Sequence, residues 1–195
     1  MFKENQLGME NLKYFFQSVG FEGAELNAII DAFILEHFEK NDFIVEEGKT
    51  SKYIGIIKSG LLHYYVIKDG EEKTSYVSTE NTFFASLLSF ISEMPSLENI
   101  KAITPCSLYI LSKSNLKQLV NDVPKFKDFY ISLLESSICG IDSSRHDLIV
   151  LTGEQRYEKM LRTEPHLLQK IPLQYLASML GVTPRHLSRI RNNIR

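Results

Sequence analysis

Residues 171–191, IPLQYLASMLGVTPRHLSRIR, decide how the chain is read. Leu173, Leu176, Ala177 and Leu180 recur at helical intervals on one face, and Gly181 follows, a residue that enters the φ > 0 conformation a tight interhelical turn needs. A second helix is expected from there. Thr183 suits its N-cap and Pro184 its first position, where a missing N–H costs nothing. Leu187, Ile190 and Ile194 continue an apolar face, while the small Ala177 lets the two helices approach closely. The other face carries Pro184, Arg185, Ser188, Arg189 and Asn192. Arg185 and Arg189 stand four residues apart, so in an isolated helix they repel by roughly a few tenths of a kcal/mol, a sign that an anionic partner reverses. The stretch reads as a helix-turn-helix.

Charge is distributed to match. The whole chain is close to balanced at net −2. Residues 151–195 hold eight Lys/Arg against three Glu, net +5, which leaves residues 1–150 with 14 of the 22 basic and 21 of the 24 acidic residues, net −7. A basic tail on an acidic body binds phosphates while the body stays off the duplex.

At 195 residues, 44% hydrophobic and 24% charged, the composition is that of a globular protein with one sizeable core and a small second domain. The longest apolar run, Tyr53–Ile57, counts a glycine and falls far short of the ~20 residues of a spanning helix. No membrane partner is expected. The opening MFKENQLGME lacks the apolar core of a signal peptide, so a cytoplasmic location is expected. Two cysteines, Cys106 and Cys139, make neither a disulfide framework nor a cluster-binding set, and each reads as a small core residue.

Residues 10–40 show helical periodicity, with Leu26, Ile29, Ile30, Phe33 and Ile34 on one side. From Asp42 the period changes to two. FIVEEGK, KYIGIIKSG, LLHYYVIK, EKTSYVS and NIKAITPCSLYILS read as short strands between turn signals at Glu47-Gly48, Ser59-Gly60 and Asp69-Gly70, the last a hairpin turn. Such strands, flanked by helices, suggest a small antiparallel roll or barrel. Residues 114–121 are expected to be helical again. A long helix then runs from about Pro124 to Leu151, with Phe126, Tyr130, Leu133, Ser137, Ile141, Ser144, Leu148 and Leu151 as one seam. About 27 helical residues span about 40 Å, longer than a small domain needs, so the seam is a dimerisation candidate. Thr152 caps the next helix, with Gln155 completing a capping box.

Helix, roll, long helix and helix-turn-helix, in that order, resemble the Crp/Fnr family of bacterial transcription regulators over nearly the whole chain. The resemblance is strongest in EEGKTSKYIGIIKSG (46–60), TGEQRYEKML (152–161) and PHLLQKIPLQYLASMLGVTPRHLSRIR (165–191). It implies an α+β fold: an N-terminal double-stranded β-helix or jelly-roll-like sensor domain, cupin-like and cyclic-nucleotide-binding-like, a dimerisation helix and a C-terminal winged helix-turn-helix. The corresponding domains are residues 1–122, 123–151 and 152–195. The family's nucleotide binders use a Gly-Glu pair for the ribose and an Arg-Ser/Thr pair for the cyclic phosphate. Here the matching stretch is TFFASLLSFISEMPSLENIKA (82–102), with Ala85-Ser86 in place of the first pair and no cation before Lys101. A buried phosphate there lacks its charge partner, so cyclic AMP is not the expected effector. Phe84, Ala85, Ser86, Leu87 and Ser96 remain candidates for the pocket of another small molecule. An iron–sulfur sensor needs four thiolates, and the chain has two cysteines.

The expected activity is therefore sequence-specific binding of a palindromic double-stranded DNA site by a homodimer, with RNA polymerase a further candidate partner. Arg185 and Arg189 are the candidates for base edges, since Arg reads guanine bidentately in the major groove. Ser188, Pro184 and His186 would tune neighbouring positions, Thr183 would anchor the helix start, and Arg191 would add charge. The rival reading is a small-molecule sensor whose C-terminal hairpin contacts a protein. Catalytic chemistry finds no support. Gly48-Lys49-Thr50 lacks the glycine-rich cradle of a phosphate loop, the five histidines are scattered, and no nucleophile turn occurs, so no enzyme, metal or cofactor is expected.

Overall fold

The computed structural model describes residues 8–193, so Ile194 lies outside the described residues. Helices α1 (Glu10–Ser18) and α2 (Gly23–Ala32) open the fold. Eight strands follow: β1 (Phe33–Phe38), β2 (Phe43–Val45), β3 (Tyr53–Ser59), β4 (Leu62–Lys68), β5 (Glu71–Ser78), β6 (Phe83–Phe84), β7 (Asn99–Ala102) and β8 (Cys106–Ser112), with the short helix α3 (Leu87–Ser92) after β6. The rest is helical: α4 (Lys113–Asp122), α5 (Pro124–Val150), α6 (Gly153–Thr163), α7 (Pro165–Lys170), α8 (Leu173–Met179) and α9 (Pro184–Asn193). No helix among the described residues is long and apolar enough to cross a membrane.

Two compact units result, one running through residue 62 and resuming at 78–130, the other holding residues 63–77 and 131–193. The first is built on an antiparallel sheet in the order β1-β8-β3-β6, with β2 paired to β7 beside it. Here one expectation is corrected. Phe33 and Ile34 are strand, not helix, and pair with Leu111 and Ile110 of β8. Phe33 is buried and Ile34 exposed, the two-residue alternation of a half-buried strand, and full pairing along β8 outweighs an apolar spacing that also fits a helix turn. The expected strand over 99–112 is likewise two, β7 and β8, broken at Thr104-Pro105. The core beneath the sheet is aromatic. Phe16 lies 5.8 Å from Phe21, 5.5 Å from Phe129 and 6.4 Å from Phe126, mostly in edge or tilted pairs, the arrangement ring quadrupoles prefer.

In the second unit β4 and β5 form the expected hairpin. Asp69 and Gly70 both have positive φ, 54° and 77°, as a type I′ turn requires. Helix α5 carries no internal proline and ends where the capping box begins. Thr152 accepts from the Gln155 backbone N–H at 3.2 Å, and Gln155 Oε1 accepts from the Thr152 N–H at 2.9 Å. Tyr157, Met160, Leu167, Leu168, Ile171, Leu176, Ala177, Leu180, Leu187 and Ile190 are buried and form the apolar interior of the helical part.

The sheet of the first unit tolerates no side chain at Gly55. A Cβ there would stand 2.0 Å from the Tyr109 carbonyl oxygen and 2.6 Å from the Phe84 ring. Gly55→Ala is expected to destabilise the first unit by about 1–3 kcal/mol or more, read from the urea midpoint. An unchanged midpoint would show that β3 and β8 separate freely.

Candidate nucleic-acid interface

Two helices and one arginine set the position of the candidate interface. Gly181 takes φ 66° in the turn between α8 and α9, and the Val182 N–H closes that turn on the Ala177 carbonyl at 2.9 Å. Arg156 on α6 donates to the Leu151 carbonyl at 2.6 Å and to the Leu180 carbonyl at 2.7 Å. One guanidinium thus joins the residue just past α5 to the turn before α9. The first helix of the motif is held on its outer side as well. Ser178 Oγ accepts from the Thr74 N–H of β5 at 2.9 Å, and the Tyr175 ring lies 4.3 Å from that of His63, a buried residue of β4 whose Nε2 is 2.9 Å from Thr74 Oγ1. Sequence reasoning singled out none of Arg156, Tyr175, Ser178 or His63, because their partners are distant in the chain.

Helix α9 starts as its residues dictate. Thr183 Oγ1 accepts from the His186 N–H at 3.2 Å, and Pro184 occupies the first turn. Leu187 and Ile190 are buried beneath it. Thr183, Pro184, Arg185, His186, Ser188 and Arg189 are exposed on the outside. Arg185 and Arg189 have no acidic partner among the described residues. Ser188 Oγ donates back to the Pro184 carbonyl at 2.9 Å. Arg191 is turned the other way. It is half-buried, with Nη2 3.3 Å from the Leu168 carbonyl and its guanidinium 5.9 Å from the Tyr157 ring centre.

The residues singled out on the long helix divide between the units. Phe126 is buried in the aromatic core of the first unit and Tyr130 packs against that core. Leu133 and Ser137 are half-buried, with Ser137 Oγ donating to the Leu133 carbonyl at 2.8 Å. Ile141 and Leu148 are 60% and 59% exposed, and Ile138, which the sequence reading passed over, is 61% exposed. With exposed Ile131 and half-buried Leu134 they form a stripe at intervals of three, four, three and seven; Ile141 and Leu148 belong to the expected seam, while Ile131, Leu134 and Ile138 each stand one position beyond it. Cys106 is buried, but Cys139 lies on this helix exposed rather than in a core.

In the roll, Ser86 and Ser96 come together, their hydroxyls 3.0 Å apart and both buried, with Phe84 buried and Ala85 and Leu87 half-buried beside them. Ser96 Oγ donates to the Glu98 carbonyl at 2.7 Å and accepts from the Glu98 N–H at 3.2 Å. Burial pushes the Glu98 carboxyl above the usual carboxylate range, and a hydrogen bond from Ser86 partly offsets that. This corner is closed by hydroxyls and a carboxylate. Residues 35–122 match the family of the cyclic nucleotide-binding domain.

The roll is thus similar to the cyclic nucleotide-binding domain. No curated protein matches the chain in sequence. Among solved structures, the c-di-GMP responsive global regulator CLP of Xanthomonas campestris superposes with a TM-score of 0.66 at 16% identity, over 89% of this chain and 91% of that one. FixK2 of Bradyrhizobium japonicum gives 0.66 at 14%, over 83% and 84%. A Crp/Fnr-family regulator of Eubacterium rectale described as a transcriptional regulator gives 0.63 at 20%, over 89% and 83%. The chain has the Crp/Fnr fold.

The Ser86–Ser96–Glu98 corner gives a direct expectation for this roll. Cyclic AMP and cyclic GMP at millimolar concentration are expected to leave the unfolding temperature unchanged, measured by differential scanning fluorimetry. A ligand at 100 times its Kd would add about 2.7 kcal/mol, so a saturable upward shift would show that the domain holds the phosphate without an arginine.

Proposed function

We propose that the protein is a homodimeric, sequence-specific DNA-binding transcription regulator of the Crp/Fnr type that does not respond to cyclic AMP. The observation that carries the reading is the outer face of α9, where Arg185 and Arg189 stand exposed four residues apart on a helix whose buried side is anchored by Leu187 and Ile190. Two guanidiniums on one exposed face are disposed for base edges and phosphates in a major groove. Ser188 and His186 flank them, Thr183 serves as the cap, and Arg191 holds the helix on Leu168 and Tyr157 in place of the phosphate contact expected from its charge. The stripe of exposed Ile131, Ile138, Ile141 and Leu148 with half-buried Leu134 on α5 supports a second copy as the dimer partner, because a coiled-coil seam buries residues at such spacing.

Arg189→Ala is expected to cost about 1–3 kcal/mol at the preferred site and to relax choice at one base position, with folding unchanged. Arg191→Ala is expected to lower the unfolding temperature instead. Fluorescence anisotropy on matched and random duplexes across a salt series, beside thermal melts, reads both. Undiminished specific binding by Arg189→Ala would remove α9 from the interface, and a flat salt dependence would favour a protein partner.

Ile138→Asp places a charge inside the proposed seam, at a cost of several kcal/mol of association, roughly the desolvation of an unpaired carboxylate. Analytical ultracentrifugation is expected to show a monomer. An intact dimer would move the interface away from α5.

A further inference from the structure

The cations missing from residues 82–100 of the roll reappear on the other side of α3. A cleft of about 420 Å³ lies there, lined by Phe90 and Ile91 of α3, Lys113, Leu116, Lys117 and Val120 of α4, the α4 residue Asn121, and Tyr130 of α5. Its floor is apolar, and Ile91 is 51% exposed beside it. Two ammonium groups stand on its rim with one carboxylate between them. Lys113 Nζ is 3.0 Å and Lys117 Nζ 3.8 Å from Glu93 Oε1. Both lysines hold the Glu93 carboxyl below its ordinary range, and the rim keeps one positive charge in excess.

The two lysines differ in what they can offer. Lys113 also donates to the Phe90 and Ile91 carbonyls, at 2.5 and 2.9 Å, which fixes it as a point charge at the end of α3. Lys117 is 67% exposed and meets the Glu93 oxygen at the limit of an ion pair, so its donors can turn to a ligand. Burial raises the Tyr130 phenol, which therefore stays protonated in the cleft wall. The volume falls within the range of small-molecule sites, and such sites are largely apolar with a few placed polar groups.

We propose that this cleft binds an amphipathic carboxylate: an apolar chain laid along Phe90, Ile91, Leu116 and Val120, with its single anionic end on Lys117 and the field of Lys113. A neutral chain would leave the excess charge unanswered, and a cation would be repelled by it. Its walls come from α3 on one side and from α4 and the start of α5 on the other, so an occupant ties the helix after β6 to the base of the long helix. The site thus gives the regulator an effector chemistry different from a nucleotide.

The test uses the full chain without DNA, so its outcome stands apart from the DNA-binding reading. Decanoate, below its micelle-forming concentration, is expected to raise the unfolding temperature saturably and to shift the NMR signals of residues around Tyr130, with decanol much weaker and decylamine without effect. Lys117→Glu is expected to weaken decanoate binding by about tenfold or more, the loss of one charge-assisted hydrogen bond, and Val120→Trp, which fills the cleft, to abolish it. Circular dichroism checks that both variants fold. If Val120→Trp does not, Lys117→Glu, changed at an exposed position, decides. No shift with decanoate, an equal effect of all three amphiphiles, or unchanged affinity in Lys117→Glu would overturn the proposal.

Discussion

The Arg156 guanidinium serves two carbonyl oxygens that belong to different parts of the chain, that of Leu151 just past α5 and that of Leu180 at the turn of the helix-turn-helix. Each oxygen lies at a helix end, where the backbone supplies it no N–H donor, and a charged donor satisfies both more strongly than water would. The reach of α9 follows from this pair of bonds. The Thr152–Gln155 capping box sets where α6 begins, Arg156 lies one turn in, and its two donors fix the αL turn at Gly181 against α6. Recognition of a spaced, two-fold site needs such rigidity, because two reading helices match two half-sites only if each is held at a defined place on its own long helix.

The roll has the expected strand architecture without the expected cation for a phosphate. Where the family resemblance implies an anion site, the segment after β6 offers Ser86, Ser96 and the raised carboxyl of Glu98. Hydroxyls satisfy one another at little cost, whereas a cyclic phosphate beside them would be an unpaired buried charge. Positive charge gathers instead at Lys113 and Lys117, where helix packing leaves a cleft.

Much of this was legible in the residues, and the exceptions have a common cause. The turn at Asp69-Gly70, the capping box, the extent of α5 and the α8–α9 motif depend on neighbours within about four positions, so local chemistry specifies them. Phe33 and Ile34 depend on β8, some 77 positions away, and their spacing alone fits either period. Phe126 has helix-seam spacing but is taken up by Phe16 and Phe21, and Arg191 is basic yet finds Leu168 and Tyr157 before any phosphate. The stripe Ile131, Leu134, Ile138 and Ile141 was visible as a three-four repeat, with Leu148 seven positions on. It was obscured by an overlapping one that begins in the core.

The central claim is that this chain reads a two-fold DNA site, and selection of bound duplexes from a random library with the purified protein tests it whatever the site's sequence. The account predicts enrichment of an inverted repeat whose half-site centres lie about one helical turn, roughly 10 base pairs, apart. Recovery of no motif, or of a single unrepeated half-site at every protein concentration, would contradict it.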